Sequence, residues 1–238
     1  MAATEPHSKE DAPAFLSLMT HELAQPLSAA LGSAYTLREH SDSEELDAIT
    51  RDGLYDATIR NLEQFQSLLD SVRVLSEAER GRLKVALAPV WVADLFRDAE
   101  ADFGTPWSRT RVIFSCEQEL QIDIELMLFR QVLTNLINNA DKFSPRGSLI
   151  SVEARRNENE VLITVSDEGE GFPPEKAELI FERSVRLQPG KKGLGVGLYV
   201  ARAIVEAHGG RIWGENTHKG AKFSILLPAG SGRRLTSV

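Results

Sequence analysis

The sequence predicts an α+β multidomain protein in which an N-terminal helical hairpin precedes a C-terminal α/β sandwich. Three observations carry this expectation. Two long amphipathic periods fill the stretch from Leu16 to Leu75. Helix-like and strand-like patterns then interleave from Val90 to Leu227. Between the two textures lies a charged, glycine-bearing stretch, Glu79 to Lys84, that reads as a linker.

The first period places Leu16, Met19, Leu23, Leu27, Ala30, Ala34 and Leu37 at steps of three and four, which is one apolar seam along a helix ending near the polar run His40 to Glu45. The second runs through Leu46, Ile49, Leu54, Leu62, Phe65, Leu69, Val72 and Leu75, weakly interrupted at Gly53. A two-helix hairpin cannot enclose a core. Its seam therefore pairs with a second copy, giving a dimeric four-helix bundle, or packs on the rest of the same chain; periodicity leaves both open.

In the second half, the patterns predict a helix over Val90 to Phe103, a short strand over Arg111 to Ser115 and a long helix over Glu125 to Phe143. Strands Leu149 to Arg155 and Val161 to Ser166 flank the polar turn NENE. A helix from Leu198 to Ala207, ended by Gly209 and Gly210, and strands Arg211 to Glu215 and Lys222 to Leu227 follow. The interleaving of types predicts a sheet of mixed order.

Composition bounds the function. With 238 residues, 42% hydrophobic and 26% charged, the chain is an ordinary globular one, and its net charge of -8 disfavours broad contact with DNA or RNA phosphates. The single cysteine, Cys116, excludes an intramolecular disulfide and a cysteine-based zinc cluster, which suits a reducing cytoplasm. It is expected in a strand, as a small hydrophobe. The opening MAATEPHSKEDAP lacks the apolar centre of a secretion signal, and no apolar run reaches the length of about 18 residues that a membrane helix needs. The expectation is a cytoplasmic protein with no membrane segment and no nucleic-acid partner.

Five stretches have the chemistry of a site. In RQVLTNLINNADKFSP, from Arg130 to Pro145, Val132, Leu133, Leu136, Ile137 and Ala140 form a buried face, while Asn135, Asn139 and Lys142 share another. Two amide oxygens one turn apart, followed by an ammonium, suit a hydrated Mg2+ and the phosphates it bridges, though the same pattern also describes a solvated face. In DEGEG, Asp167 ends an apolar strand, and Gly169 and Gly171 let backbone approach a flat ligand whose exocyclic amine a carboxylate would accept. In GKKGLGVGL, Gly193, Gly195 and Gly197 lead into a helix whose first N–H groups attract phosphate. Leu198 stands where a Rossmann fingerprint needs its third glycine, and Gly193 stands where a Walker A motif needs Ser or Thr. The proline-bounded stretch Phe172 to Lys192 between the glycine motifs reads as a lid, from which Arg183 and Arg186 could reach a phosphate. Finally, in HELAQPL, His21 lies off the apolar seam and faces solvent, Glu22 stands beside it, and Pro26 removes a helix hydrogen bond one turn on.

Taken in order, HELAQPL, NLINNADKFSP, DEGEG, a lid beginning IFER, GLGVGL and HGGRIWGEN resemble the sensor histidine kinases of two-component systems, over nearly the whole stretch from Phe15 to Pro228. The resemblance implies a polar segment over residues 1–14, a dimerisation and histidine-phosphotransfer domain over 15–80 and a linker over 81–87. A catalytic ATP-binding domain of the Bergerat type over 88–230 and a tail over 231–238 complete it. It implies ATP and Mg2+ as cofactors, a homodimer, and a response regulator receiver domain as partner. His21 would be the phosphoacceptor and Glu22 its base or orienting partner. Asn139 would ligate Mg2+, with Asn135 and Lys142 close to the phosphates. Asp167 would take the adenine amine in a pocket shaped by Gly169 and Gly171. Gly193, Gly195 and Gly197 would be hinge and phosphate-facing glycines, and Arg186 a γ-phosphate contact. The chain departs from the usual pattern at Gln25, where Thr or Asn is familiar, at Ser184, where an aromatic is common, and at Asn138, where an acid is frequent. A nucleotide-binding scaffold without phosphotransfer, or a stand-alone ATPase of the same superfamily, are the alternatives.

Overall fold

A computed structural model of the chain describes residues 12–40, 47–103, 111–183, 185 and 194–230. It separates into two compact units, one containing the first helix and the second helix as far as Arg73, the other beginning at Val74.

The first unit is the helical hairpin. Helix α1 spans Ala12–Glu39 and helix α2 Ala48–Glu79. Asp47 starts α2, its Oδ1 accepting from the Thr50 N–H at 2.6 Å. This cap satisfies one of the helix's orphan donors and holds the Asp47 carboxyl below its usual pKa. Gly81 ends the helix with φ +61°, its N–H donating to Ala78 O while Arg82 N–H reaches back to Glu77 O, a left-handed cap that favours glycine. The apolar seam of the hairpin is partly open: Leu16, Leu27, Ile49, Leu62 and Leu69 are exposed, whereas Met19, Leu23 and Phe65 are half-buried and Ala30 and Leu75 are buried.

The second unit is an α/β sandwich. Strand β1 (Ala88–Trp91), helix α3 (Val92–Phe103), strands β2 (Arg111–Cys116) and β3 (Gln121–Ile124), and helix α4 (Leu126–Phe143) come first. Strands β4 (Leu149–Asn157) and β5 (Glu160–Ser166), helix α5 (Gly197–Ala207), and strands β6 (Arg211–Asn216) and β7 (Ala221–Pro228) follow. The main sheet has the order β2-β4-β5-β7-β6, with β2 parallel to β4 and the other pairs antiparallel. One face follows from strand alternation: Ile150, Val152 and Ala154 of β4, Val161, Ile163 and Val165 of β5, and Phe223, Ile225 and Leu227 of β7 are all buried. Opposite them stand the apolar stripes of α4, which buries Leu128, Phe129, Val132, Leu133, Leu136, Ile137 and Ala140, and of α5, which buries Val200, Ala201, Ile204 and Val205.

The expected elements appear with two additions. Val90 and Trp91 are not helical: they pair with Ile122 and Gln121 in a small antiparallel sheet of β1 and β3. The backbone turns into α3 only at Val92, whose N–H donates to Leu120 O. Both strands are four residues long, too short to show a period. The segment after Phe172, expected to be irregular, makes two 3-10 turns, Pro174–Lys176 and Leu179–Phe181. Their Ile180 and Phe181 are buried, Phe181 edge-on to Phe223. Cys116 is the last residue of β2, with a free thiol.

Candidate nucleotide site and phosphoacceptor helix

Asp167 is the first residue past β5, and the sheet register defines its surroundings. Its N–H donates to Ala221 O at 2.9 Å, extending the β5–β7 ladder by one step. Its Oδ1 accepts from the N–H groups of Gly169 at 2.8 Å and Ala221 at 3.0 Å. Oδ2 carries no hydrogen bond among the described residues. The residue is 6% exposed, and burial raises the carboxyl pKa, with the two backbone N–H groups pulling the other way.

Glycines make this turn possible. A Cβ at Gly169 would stand 2.7 Å from Phe143 O, so backbone at the end of α4 presses directly on the Asp167 turn. Gly220, which the sequence reading did not single out, backs the same carboxylate: a Cβ there would stand 2.7 Å from both Asp167 Oδ1 and Gly169 N. Gly171 has φ +71°. Beyond it, the side chain of Asn216, at the end of β6, grips the backbone of Phe172. Its Oδ1 accepts from Phe172 N–H at 3.1 Å and its Nδ2 donates to Phe172 O at 2.5 Å. Asn216 was also missed as a site residue; the only signal was its place in HGGRIWGEN.

Asn135, Asn139 and Lys142 lie half-buried on the side of α4 away from its apolar stripe. Asn135 Nδ2 donates to Gly197 O at 3.2 Å, which ties this face to the first residue of α5. That bond uses the amide nitrogen. The Lys142 ammonium sits 5.0 Å from the centre of the Phe143 ring. Gly195 has φ +68°, and a Cβ at Gly197 would meet the Asn135 side chain at ordinary contact distance, 3.7 Å. The structure thus gathers Asn135 with Gly197, and Asp167 with Gly169. Arg186 and Gly193 lie outside the described residues. Arg183 does not stand ready for a phosphate: its Nη1 bonds Glu79 Oε1, in the last turn of α2, at 2.6 Å.

In the hairpin, His21 is exposed on α1 and Glu22 is 9% exposed, so neighbours on one helix have opposite environments. Pro26 lies inside α1 and is buried.

Residues 125–231 match the family described as histidine kinase-, DNA gyrase B- and HSP90-like ATPases. Over 222 residues, covering 90% of the chain, the sequence is 30% identical to the adaptive-response sensory kinase SasA of Microcystis aeruginosa, of which it covers 58%. The chain therefore spans a little over half the length of that relative. Among solved structures, full-length ShkA in complex with AMPPNP superposes with a TM-score of 0.64 at 23% identity, over 92% of this chain and 46% of that one. Histidine kinase ThkA in complex with the response regulator protein TrrA superposes with a TM-score of 0.58 at 21% identity, over 93% and 63%. The matched stretch, residues 125–231, lies in the α/β sandwich and is similar to the ATPase domains of that class. Over 90% of its length the chain is similar to sensory histidine kinases such as SasA.

Proposed function

We propose that the protein is an ATP-dependent protein-histidine kinase that phosphorylates itself on His21 and passes the phosphoryl group to an aspartate of a separate response regulator. The observation that carries this is the Asp167 carboxylate: one oxygen is fixed by two backbone N–H groups and the other is left to accept from an exocyclic amine. The AMPPNP bound to ShkA and the regulator bound to ThkA support the substrate and partner by similarity.

The nucleotide-binding roles divide among the elements around the sheet. Asp167 Oδ2 accepts from the adenine amine, while Gly169 and Gly171 keep the backbone close enough for the ring to lie flat. Gly195 and Gly197 turn N–H groups at the start of α5 toward the phosphates and Lys142 brings positive charge to them, roles that the resemblance extends to Gly193 and Arg186, which lie outside the described residues. Asn139 would hold Mg2+ through its amide oxygen, with Asn135 beside it. The donor set fits: neutral oxygens on a half-buried helix face leave room for the waters Mg2+ retains, and among the described residues no cluster of His, Cys, Asp and Glu offers a competing site. Bound there, Mg2+ supplies charge neutralisation on the β- and γ-phosphates.

His21 is the acceptor. The lone pair of its neutral ring nitrogen forms the N–P bond in line as the bond from the γ-phosphorus to the β-bridging oxygen breaks and ADP departs with that electron pair. Glu22 orients the ring or takes its proton. The exposed part of the hairpin's apolar seam is covered by a second copy, making the kinase a homodimer built on a four-helix bundle. Among the described residues no helix is long and apolar enough to cross a membrane.

Incubation with γ-labelled ATP and Mg2+ tests the reading. Acid-labile, base-stable label on the wild type that disappears in His21→Gln is the expected result. Absence of label on the wild type sinks the kinase, and free phosphate released equally by both proteins points to a stand-alone ATPase.

A further inference from the structure

Arg202 lies in the second turn of α5, and each of its three guanidinium nitrogens faces a different carboxylate. Nη2 bonds Glu178 Oε2 at 2.7 Å, Nη1 stands 3.9 Å from Glu182 Oε1, and Nε stands 3.8 Å from Glu206 Oε1, one turn further along the helix. Its Cζ sits 4.8 Å from the centre of the Phe181 ring, a cation over an aromatic face.

These partners belong to one piece of structure. Glu178 and Glu182 flank the 3-10 turn Leu179–Phe181, so a single side chain of α5 holds both ends of that turn and the ring between them. Phe181 is itself buried, edge-on to Phe223 of β7. A lysine could not do the same, because its ammonium is one point of charge whereas the planar guanidinium presents donors in several directions at once. Exposed ion pairs usually contribute little. Here the cation is only 24% exposed, and without it three carboxylates would face one another around the same space. Their repulsion would push the turn off α5.

The helix that the turn is held against gives the contact a function. α5 opens at Gly197, whose carbonyl accepts from Asn135 on the polar face of α4, and Gly195 just before it has φ +68°. The far end of α5 is tied to the start of α4 through His208. Arg202 supplies a third hold between those two, to a different element. The chain that leaves the turn at Glu182 rejoins α5 at Gly197, so Gly195 and Gly197 lie next to a helix whose flank Arg202 fixes. Asp167 is held separately, by the N–H groups of Gly169 and Ala221.

We propose that Arg202 is a positioning residue for phosphate binding: without touching the nucleotide, it clamps the Leu179–Phe181 turn to α5 and so fixes the frame on which Gly195 and Gly197 present their N–H groups. The inference deepens the ATP reading above and rests on it.

Titration of the full chain with ADP, followed by calorimetry, and with adenosine, followed by NMR chemical shifts, tests it. Arg202→Met keeps an apolar stem over Phe181 and removes the fork. It is expected to weaken ADP about three- to tenfold, the effect of losing a small ion-pair network, and to leave adenosine within about twofold of the wild type. Arg202→Lys recovers part of the ADP affinity. Glu178→Gln combined with Glu182→Gln leaves Arg202 and the core in place and is expected to give the same split, so it decides the matter by the same criteria if Arg202→Met does not fold. The inference is overturned if ADP binds as tightly as in the wild type, or if ADP and adenosine are lost to the same degree, which is what a purely structural role predicts. A wild type that binds neither ligand fails at the nucleotide reading itself, whereas one that binds both and is indifferent to Arg202 fails here alone.

Discussion

The backbone N–H of Glu125, which leads into α4, donates to Nε2 of His208 at 3.0 Å, across 83 residues of sequence. The other ring nitrogen, Nδ1, lies 2.7 Å from Ile204 O on α5. The two bonds assign one neutral tautomer, with the proton on Nδ1. The ring also meets Phe129 edge-on. His208 thus joins the start of the helix carrying Asn135, Asn139 and Lys142 to the end of the helix that begins at Gly197.

This link predicts a loss of stability in acid. Burial lowers the His208 pKa below 6.5, outweighing the Ile204 carbonyl and the Glu125 carboxylate, which raise it. On acidification the unfolded chain therefore takes up the proton first. The contribution is complete above pH 6.5 and is lost as the pH falls through the folded-state pKa. Protonation would set an Nε2–H against the Glu125 N–H. Thermal melting at stepped pH is expected to show a decline below 6.5 whose slope is reduced in His208→Phe. That variant should also lose about 1–3 kcal/mol at neutral pH, because the Glu125 N–H loses its acceptor. An unchanged slope would locate the pH sensitivity elsewhere.

Asp167 predicts stability and binding to move in opposite directions. Its folded pKa is raised, so its effect on stability runs the other way: the fold is favoured below the ordinary carboxyl value of 3.8 and loses that contribution as the pH rises through the folded pKa. Asp167→Asn removes the buried charge but keeps an oxygen for the Gly169 and Ala221 N–H groups. The variant should melt no lower than the wild type at neutral pH. Nucleotide affinity should fall about ten- to a hundredfold, since an amide nitrogen cannot accept from the adenine amine. Melting curves and ADP titration on one preparation give both signs.

Gly171→Ala should show strong coupling with Asn216. The position has φ +71°, where a side chain costs about 1–2 kcal/mol, and the new Cβ would stand 2.5 Å from Asn216 Oδ1. The alanine therefore pushes out the side chain that holds Phe172 by two hydrogen bonds. In a double-mutant cycle, Gly171→Ala in an Asn216→Ala background should cost less than in the wild type by about 0.5–3 kcal/mol in urea unfolding. Additive effects would contradict the steric account.

These residues also mark how far the sequence could be read. Asn135, Asn139 and Lys142 were visible because a single helix period places them on one face, and Asp167 because it ends an apolar strand before two glycines. Asn216 and Gly220 were not visible as partners of that turn. They reach it only through the β5–β7–β6 pairing, and nothing in the local pattern specifies which strands become neighbours. Arg183 looked like a phosphate ligand from its place in the lid segment, but its partner is Glu79, 104 residues away.

Asn139→Ala separates the catalytic unit from the dimer. Asn139 lies on the polar face of α4, whose neighbours Leu136, Ile137 and Ala140 are buried, so truncation removes an amide without opening the core. The hairpin seam, carried by residues such as Leu27, Ile49 and Leu62, is untouched. On the proposed reading, in which the Asn139 oxygen would hold Mg2+, the variant should lose His21 phosphorylation, by about a hundredfold or more in initial rate, because the γ-phosphate would lose its charge neutralisation and alignment. Its mass by light scattering should remain that of a dimer. Raising Mg2+ should recover part of the rate, whereas raising ATP at fixed Mg2+ should not. Normal labelling would remove the metal from Asn139, and a monomeric variant would show that the two units are not independent.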